Sequence, residues 1–130
     1  MKTTGSLEAS DAAAAAVAKT DKRVTLESML AKIADQQFFR SKMAPELTIC
    51  VMKLTNGFTL VGKSAPADPA NFNQELDERF AREDCIRQLW PLEGYLLREN
   101  EHVLREALSL GLDDEPAPHS LAVQRGDVGG

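Results

Sequence analysis

Aromatic residues are scarce in this sequence, seven among 130, and it has two cysteines and no long apolar run. Seven rings, with part of the hydrophobic fraction spent on the alanine run from Ala12 to Ala16, leave a lean core. Cys50 and Cys85 have no second pair beside them, which excludes a disulfide scaffold or a thiolate metal framework. Cys50 falls in a strand-like pattern and Cys85 in a helical one, so both read as reduced core residues. No stretch approaches the ~20 apolar residues of a membrane span, and no apolar block of the signal-peptide kind opens the sequence. The expectation is a soluble protein of the cytoplasm that does not engage membrane. Positive charge is also in short supply: 15 Lys and Arg against 20 Asp and Glu give a formal charge of −5. The composition therefore argues against a general nucleic-acid binder, whose affinity rests on cations at phosphates. The imbalance is greater at the ends, since residues 23–110 hold 11 basic and 13 acidic side chains. A local basic site is compatible with that middle part.

The length is that of one domain. Residues 1–22 show no apolar periodicity, and an alanine-rich helix with no face to bury is marginal in water, so they read as a disordered arm. Residues 111–130 mix Gly, Pro and acidic residues and read as a disordered tail. A single α+β domain is expected over 23–110. Its first helix starts at Thr25, an N-cap flanked by Val24 and Met29 as a hydrophobic staple, carries Leu26, Met29, Leu30 and Ile33 on one face, and ends near Phe39. Leu47–Leu54 and Phe58–Ser64 read as strands joined by a two-residue turn at Asn56-Gly57. That turn would place Leu54 opposite Thr59, Met52 opposite Val61 and Cys50 opposite Lys63. Cys50, Met52, Leu54 and Val61 then share one side, while Ile49, Val51, Phe58 and Leu60 share the other. Two apolar faces on one hairpin call for cover from helices or from another subunit. Asp68-Pro69 sets an N-cap followed by proline at the first helical position. The long helix that follows carries Phe72, Leu76, Phe80, Ile86, Leu89 and Trp90 on its apolar face. Pro91 kinks or restarts it, and Gly111 stops it.

Gly57 to Ser64 satisfies the phosphate-loop pattern, but strand formers fill it, a hairpin turn precedes it, and Pro66 and Pro69 block a helix after it. Glu99, His102 and Glu106 lie three and four apart on one helical face, yet a carboxylate-bridged metal site needs such spacing twice. They read as a solvated face with no metal. Cys85 and His102 could be written as a nucleophile and base, but Asp84 beside Cys85 opposes a thiolate. No catalytic residue, metal or cofactor is expected, and the chain reads as a non-enzyme. The helix start from Asp68 to Phe72, with Lys63, Arg79, Arg82 and Arg87, is a candidate anion site, with Phe72 or Trp90 stacking on a base. Its alternative is arginines paired to Glu75, Glu78 and Glu83, with the aromatics in the core.

Asn56-Gly57-Phe58, Gly62-Lys63-Ser64-Ala65, Asn71-Phe72, Ala81-Arg82-Glu83 and above all Trp90-Pro91-Leu92-Glu93-Gly94-Tyr95-Leu96-Leu97 resemble a family of small proteins of tailed phages and prophages, the phage gene product 49 / gene 66 family. The resemblance covers about residues 24–97. Relatives more often carry an acidic residue at the position of Lys63, and Asn-Ala where this chain has Asp84-Cys85. The resemblance implies an accessory gene acting in the bacterial host cell, without an assigned reaction. Size, element order and the expected oligomer also look like phage sponge proteins, which sequester cyclic nucleotide signals of antiphage defence; this is an analogy of architecture.

The fold class expected is thus α+β: an N-terminal helix, an antiparallel β-hairpin and a long C-terminal helix kinked at Pro91, in a homo-oligomer. The function expected is a counter-defence binder of a small cyclic nucleotide, using Asn71, Phe72, Arg82 and Trp90. The alternative is a protein-binding inhibitor or structural accessory of a host or phage complex.

Overall fold

The computed structural model describes residues 5–111, and the fold is α+β. The elements are helix α1 (Ser6–Val17), helix α2 (Leu26–Leu30), strands β1 (Ile33–Arg40), β2 (Thr48–Leu54) and β3 (Thr59–Ser64), a 3-10 turn (Pro69–Asn71) and helix α3 (Gln74–Ser109). The tail expected over 111–130 lies, apart from Gly111, outside the described residues.

Residues 6–17 form a helix where the sequence suggests a mobile arm. Intrinsic propensity alone would not hold it. Leu7 is buried in the core with Leu26 and Met29, and the Asp11 carboxylate accepts hydrogen bonds from Arg23 and from the Leu26 amide, both at 3.0 Å. Those bonds hold Asp11 below its usual pKa, chiefly through the Leu26 amide. One apolar and one acidic anchor therefore dock a helix whose alanines stay largely exposed.

Thr25 caps α2 as expected, its hydroxyl accepting from the Ser28 amide at 3.0 Å. Met29 is fully buried and Val24 packs against the core. The helix does not run on to Phe39. It stops after Leu30, and Ile33–Arg40 pairs antiparallel with β2 instead. After Ile33 the residues Ala34, Asp35, Gln36 and Gln37 give a helix no apolar face, whereas a strand sends Phe38 toward the core and pairs with β2, so tertiary pairing wins. The third strand that the hairpin lacks thus comes from the same chain.

The sheet order is β1-β2-β3. The β2-β3 register differs by one residue from the expected one: Met52 lies opposite Leu60, Val51 opposite Val61 and Cys50 opposite Gly62. The loop has three residues, Thr55 to Gly57, with Gly57 at φ +91° and the Leu54 amide donating to the Phe58 carbonyl at 2.8 Å. A three-residue loop ending in a left-handed glycine is the next most common hairpin connection after the two-residue turn. One residue of slip exchanges faces. Leu60, not Val61, joins Cys50, Met52 and Leu54 in the core, and Val61 faces outward at 58% exposure.

The 3-10 turn begins at Asp68, whose carboxylate accepts from the Ala70 amide, so the cap expected there serves this short turn rather than the long helix. Asn73 caps α3 by accepting from Leu76, and Asp77 accepts from the Asn73 amide in return. The helix runs through Pro91 as one element and does not restart. Proline lacks the amide that would serve the Arg87 carbonyl, so the ladder is one bond short there. Leu110 and Gly111 close the end, with Gly111 at φ +78°. Contacts divide the chain at Glu93, and from Gly94 on the described residues are the rest of this helix and its cap.

The Gln74–Glu93 portion of α3 lies on one face of the sheet. Ala81, Cys85, Ile86 and Leu89 meet Cys50, Met52, Leu54 and Leu60, with Trp90, Ile33 and Phe38 at the margin. The closest approach is at Gly62, where an added Cβ would lie 2.4 Å from the Ala81 carbonyl oxygen and 2.8 Å from the Cys85 nitrogen. Gly62→Ala should therefore lift β3 off the helix and cost about 1–3 kcal/mol in chemical denaturation, the range for an overpacked core. At the end of the same strand pair, Thr48 is buried with a hydroxyl that has no partner among the described residues. Replacing a buried unpaired hydroxyl by a methyl removes a desolvation cost, so Thr48→Val should leave the denaturation midpoint unchanged or raise it.

Candidate functional site

The start of α3 is filled by the chain's own groups, the Asn73 and Asp77 caps, with Glu75 and Asp77 in the first turn, which oppose an incoming anion. Asn71 is exposed at the end of the 3-10 turn. Phe72 is half-buried beneath the Arg40 guanidinium, 4.7 Å from its ring centroid, a cation-π contact.

Arg82 is partly buried and donates to the Gln36 side chain at 3.0 Å. Arg79 pairs with Glu83 at 3.2 Å, the helical spacing expected if the arginines serve the scaffold. Arg87 donates to the Ser6 hydroxyl. Glu8, at the start of α1, is held below its usual pKa first by backbone hydrogen bonds at Glu8 and Gly5, then by Arg79 and Arg82. The docked α1 thus occupies the surface where the arginines would have met phosphate. Trp90 packs against the core. Asn71 and Phe72 precede α3 and Arg82 and Trp90 lie within it, and from Gln74 to Trp90 the helix rises about 24 Å.

The remaining chemical motifs resolve into scaffold. Residues 59–64 of the phosphate-loop pattern are strand, and Lys63 is exposed. Its amide donates to Asp84 Oδ2 at 2.9 Å, and Gln88 Nε2 donates to the Val61 carbonyl at 2.8 Å. Asp84 thus closes the outer edge of β3. In the segment from Gly94 on, Glu99, His102 and Glu106 are exposed, and Glu101 lies 3.9 Å from Arg105. Among the described residues, no group of three or more His, Cys, Asp and Glu is placed to hold a metal ion. Tyr95, in the most specific resembling run, is 69% exposed.

The surface that the sequence reading missed is the sheet face opposite α3. In rows across the strands it presents Phe39, Ile49 and Lys63, then Gln37, Val51 and Val61, then Asp35, Lys53 and Thr59. Phe39, Ile49, Val51 and Val61 form one diagonal apolar stripe, with Phe39 at 49% exposure and no covering element among the described residues. A solvated antiparallel face is ordinarily polar. The expected hairpin already hinted at a second apolar face through Ile49 and Val51, but Phe39 was assigned to a helix and Val61 to the core.

Cys50 and Cys85 are free and buried, and the Cys85 thiol donates to the Cys50 carbonyl at 3.5 Å. Burial pushes Cys85 up from 9.0 to about 12 and raises Cys50 as well. A thiol so disfavoured as thiolate is a poor nucleophile. The folded state keeps the Cys85 proton where the unfolded chain releases it, so this contribution to stability is present below pH 9 and falls as pH rises from 9 to about 12. Denaturation midpoints across that window should fall, and maleimide labelling of Cys85 at pH 8 should require unfolding; rapid labelling of the native chain would contradict the buried placement.

Among the described residues no helix is long and apolar enough to cross a membrane. No curated protein and no solved structure matches the chain. A family model does match residues 24–101, a span that includes α2, all three strands and most of α3. The chain belongs to the Phage protein (N4 Gp49/phage Sf6 gene 66) family.

Proposed function

We propose that this protein is a non-enzymatic phage accessory that acts in the cytoplasm of the bacterial host by holding a host or phage protein on the open face of its sheet. The observation that supports this reading is the contiguous stripe of Phe39, Ile49, Val51 and Val61 on a face with no cover among the described residues. Exposed apolar patches rimmed by polar residues are the usual mark of a protein-binding surface. Lys63 borders the stripe at one end, and Lys53 with Asp35 and Thr59 at the other. Two lysines against one aspartate favour a partner with an apolar ridge flanked by acidic side chains.

A sponge for a cyclic nucleotide signal in counter-defence requires cations and aromatics gathered around one small ligand. Arg79, Arg82 and Arg87 are bonded to Glu83, Gln36 and Ser6, and the aromatics are dispersed. That arrangement favours a macromolecular partner over a nucleotide ligand, and no cofactor enters the proposal.

The test compares the wild-type chain with Val61→Glu, a change at an exposed strand position that leaves the core side untouched. A protein captured in stoichiometric amount from infected cells by wild type, and lost with Val61→Glu at unchanged circular dichroism, is the expected result. Capture that survives Val61→Glu, or stoichiometric nucleotide mass on the wild-type chain in a native mass spectrum with pooled cyclic and linear nucleotides, would overturn the reading.

A further inference from the structure

The two edges of the sheet are treated differently. The Leu54 amide donates to the Phe58 carbonyl, so the even-numbered backbone groups of β2 point to β3 and the odd-numbered ones to β1. In β3 the odd-numbered groups then face outward, and α3 meets them: Gln88 donates to the Val61 carbonyl and Asp84 accepts from the Lys63 amide. In β1 the even-numbered groups face outward. The Gln36 amide is taken by the Asp35 carboxylate at 2.8 Å. The Gln36 carbonyl and both groups of Phe38 and of Arg40 have no partner among the described residues.

An unpaired edge with neither lysine nor proline between Gln36 and Phe39 is a template for a further strand. Most of its free groups are also self-complementary. Under a two-fold axis through Phe38, the Phe38 amide donates to the carbonyl of the partner's Phe38 and the Arg40 amide donates to the carbonyl of the partner's Gln36, each bond repeated by symmetry. Four of the five free groups then have a partner; the fifth, the Arg40 carbonyl, lies opposite the partner's Gln36 amide, which Asp35 already holds. The two open faces become one, with Phe39 beside the partner's Gln37.

We infer that the chain forms a two-fold homodimer by antiparallel pairing of β1 with β1, which makes a continuous six-stranded sheet. The partner that fits this edge is a second copy, because four of its five free groups pair with their own counterparts under that axis.

Sedimentation equilibrium of the full chain tests this with two substitutions at one position. Arg40→Pro deletes the outward amide on an edge strand, where proline is tolerated. Arg40→Ala loses the stack on Phe72 but keeps the amide. Wild type and Arg40→Ala are expected at the mass of two chains, and Arg40→Pro at the mass of one. A monomeric wild type, a monomeric Arg40→Ala, or a folded Arg40→Pro that remains dimeric would overturn the inference. Hydrogen exchange of wild type covers the case in which Arg40→Pro does not fold. The Phe38 and Arg40 amides should become protected as concentration rises; fast exchange at every concentration would count against the pairing. Val61 lies on the far strand, so loss of partner capture with Val61→Glu and loss of the dimer with Arg40→Pro are separable results.

Discussion

The approach of β3 to α3 at Gly62 is the constraint on which the rest of the structure depends. With no side chain at that position, the strand lies against the Ala81 carbonyl and the Cys85 backbone, closer than any Cβ would permit. This closeness brings Asp84 and Gln88, one turn apart on α3, within reach of the outer groups of β3. It also seals Cys50 and Cys85 against each other, where burial keeps both thiols protonated. A core with few aromatics is thus compact because backbone, rather than bulky side chains, meets backbone. Its packing depends on small residues, Gly62, Ala81, Cys50 and Cys85.

The sequence was legible where a local signal and a tertiary contact agreed. Thr25 is the cap it resembles, Gly111 ends the last helix, and the apolar alternation of β2 from Cys50 to Leu54 is its core face. It misled where one local signal had two structural solutions. Asn56-Gly57 suits both a two-residue turn and a three-residue loop ending in glycine, and the difference of one residue exchanges Leu60 with Val61. Leu26, Met29, Leu30 and Ile33 fit a helical stripe, but Ile33 already belongs to a strand whose stability comes from pairing with a distant segment. The docking of α1 rests on Leu7 and Asp11, two residues that carry no periodicity and could be recognised only with their partners in place.

The candidate site was the least legible part because arginine on a helix surface is chemically ambiguous. Arg82 reads as a phosphate ligand until Gln36 is placed opposite it, and Gln36 belongs to the strand that the sequence presents as helix. The reading of β1 as helix and the reading of Arg82 as free for a ligand therefore have one origin. Once β1 is a strand, Arg40 is brought to Phe72 and Lys32 to Glu93 at 3.0 Å, so three cations along it or beside it tie the strand layer to the helix layer. Of the basic groups that the sequence offers to a ligand, Arg82 is one of these ties, while Arg79 pairs along its own helix and Arg87 meets α1. What the same strand leaves available is apolar side chain on one face and backbone along one edge.

The residues that carry the family resemblance fall into two groups. Gly62 and Ala81 meet at the closest point between strand and helix, and Gly57 turns the hairpin, so these motifs describe how the scaffold is built. The specific run from Trp90 onward begins in the core, with Trp90 packed and Glu93 paired to Lys32, and then reaches the surface at Tyr95. Phe39, Ile49, Val51 and Val61, by contrast, lie outside every one of those motifs. The resembling motifs therefore lie mainly where strand and helix are joined, and the open face of the sheet lies outside them. A fold that secures itself through small residues on one side of its sheet leaves the side chains of the other face outside its own packing.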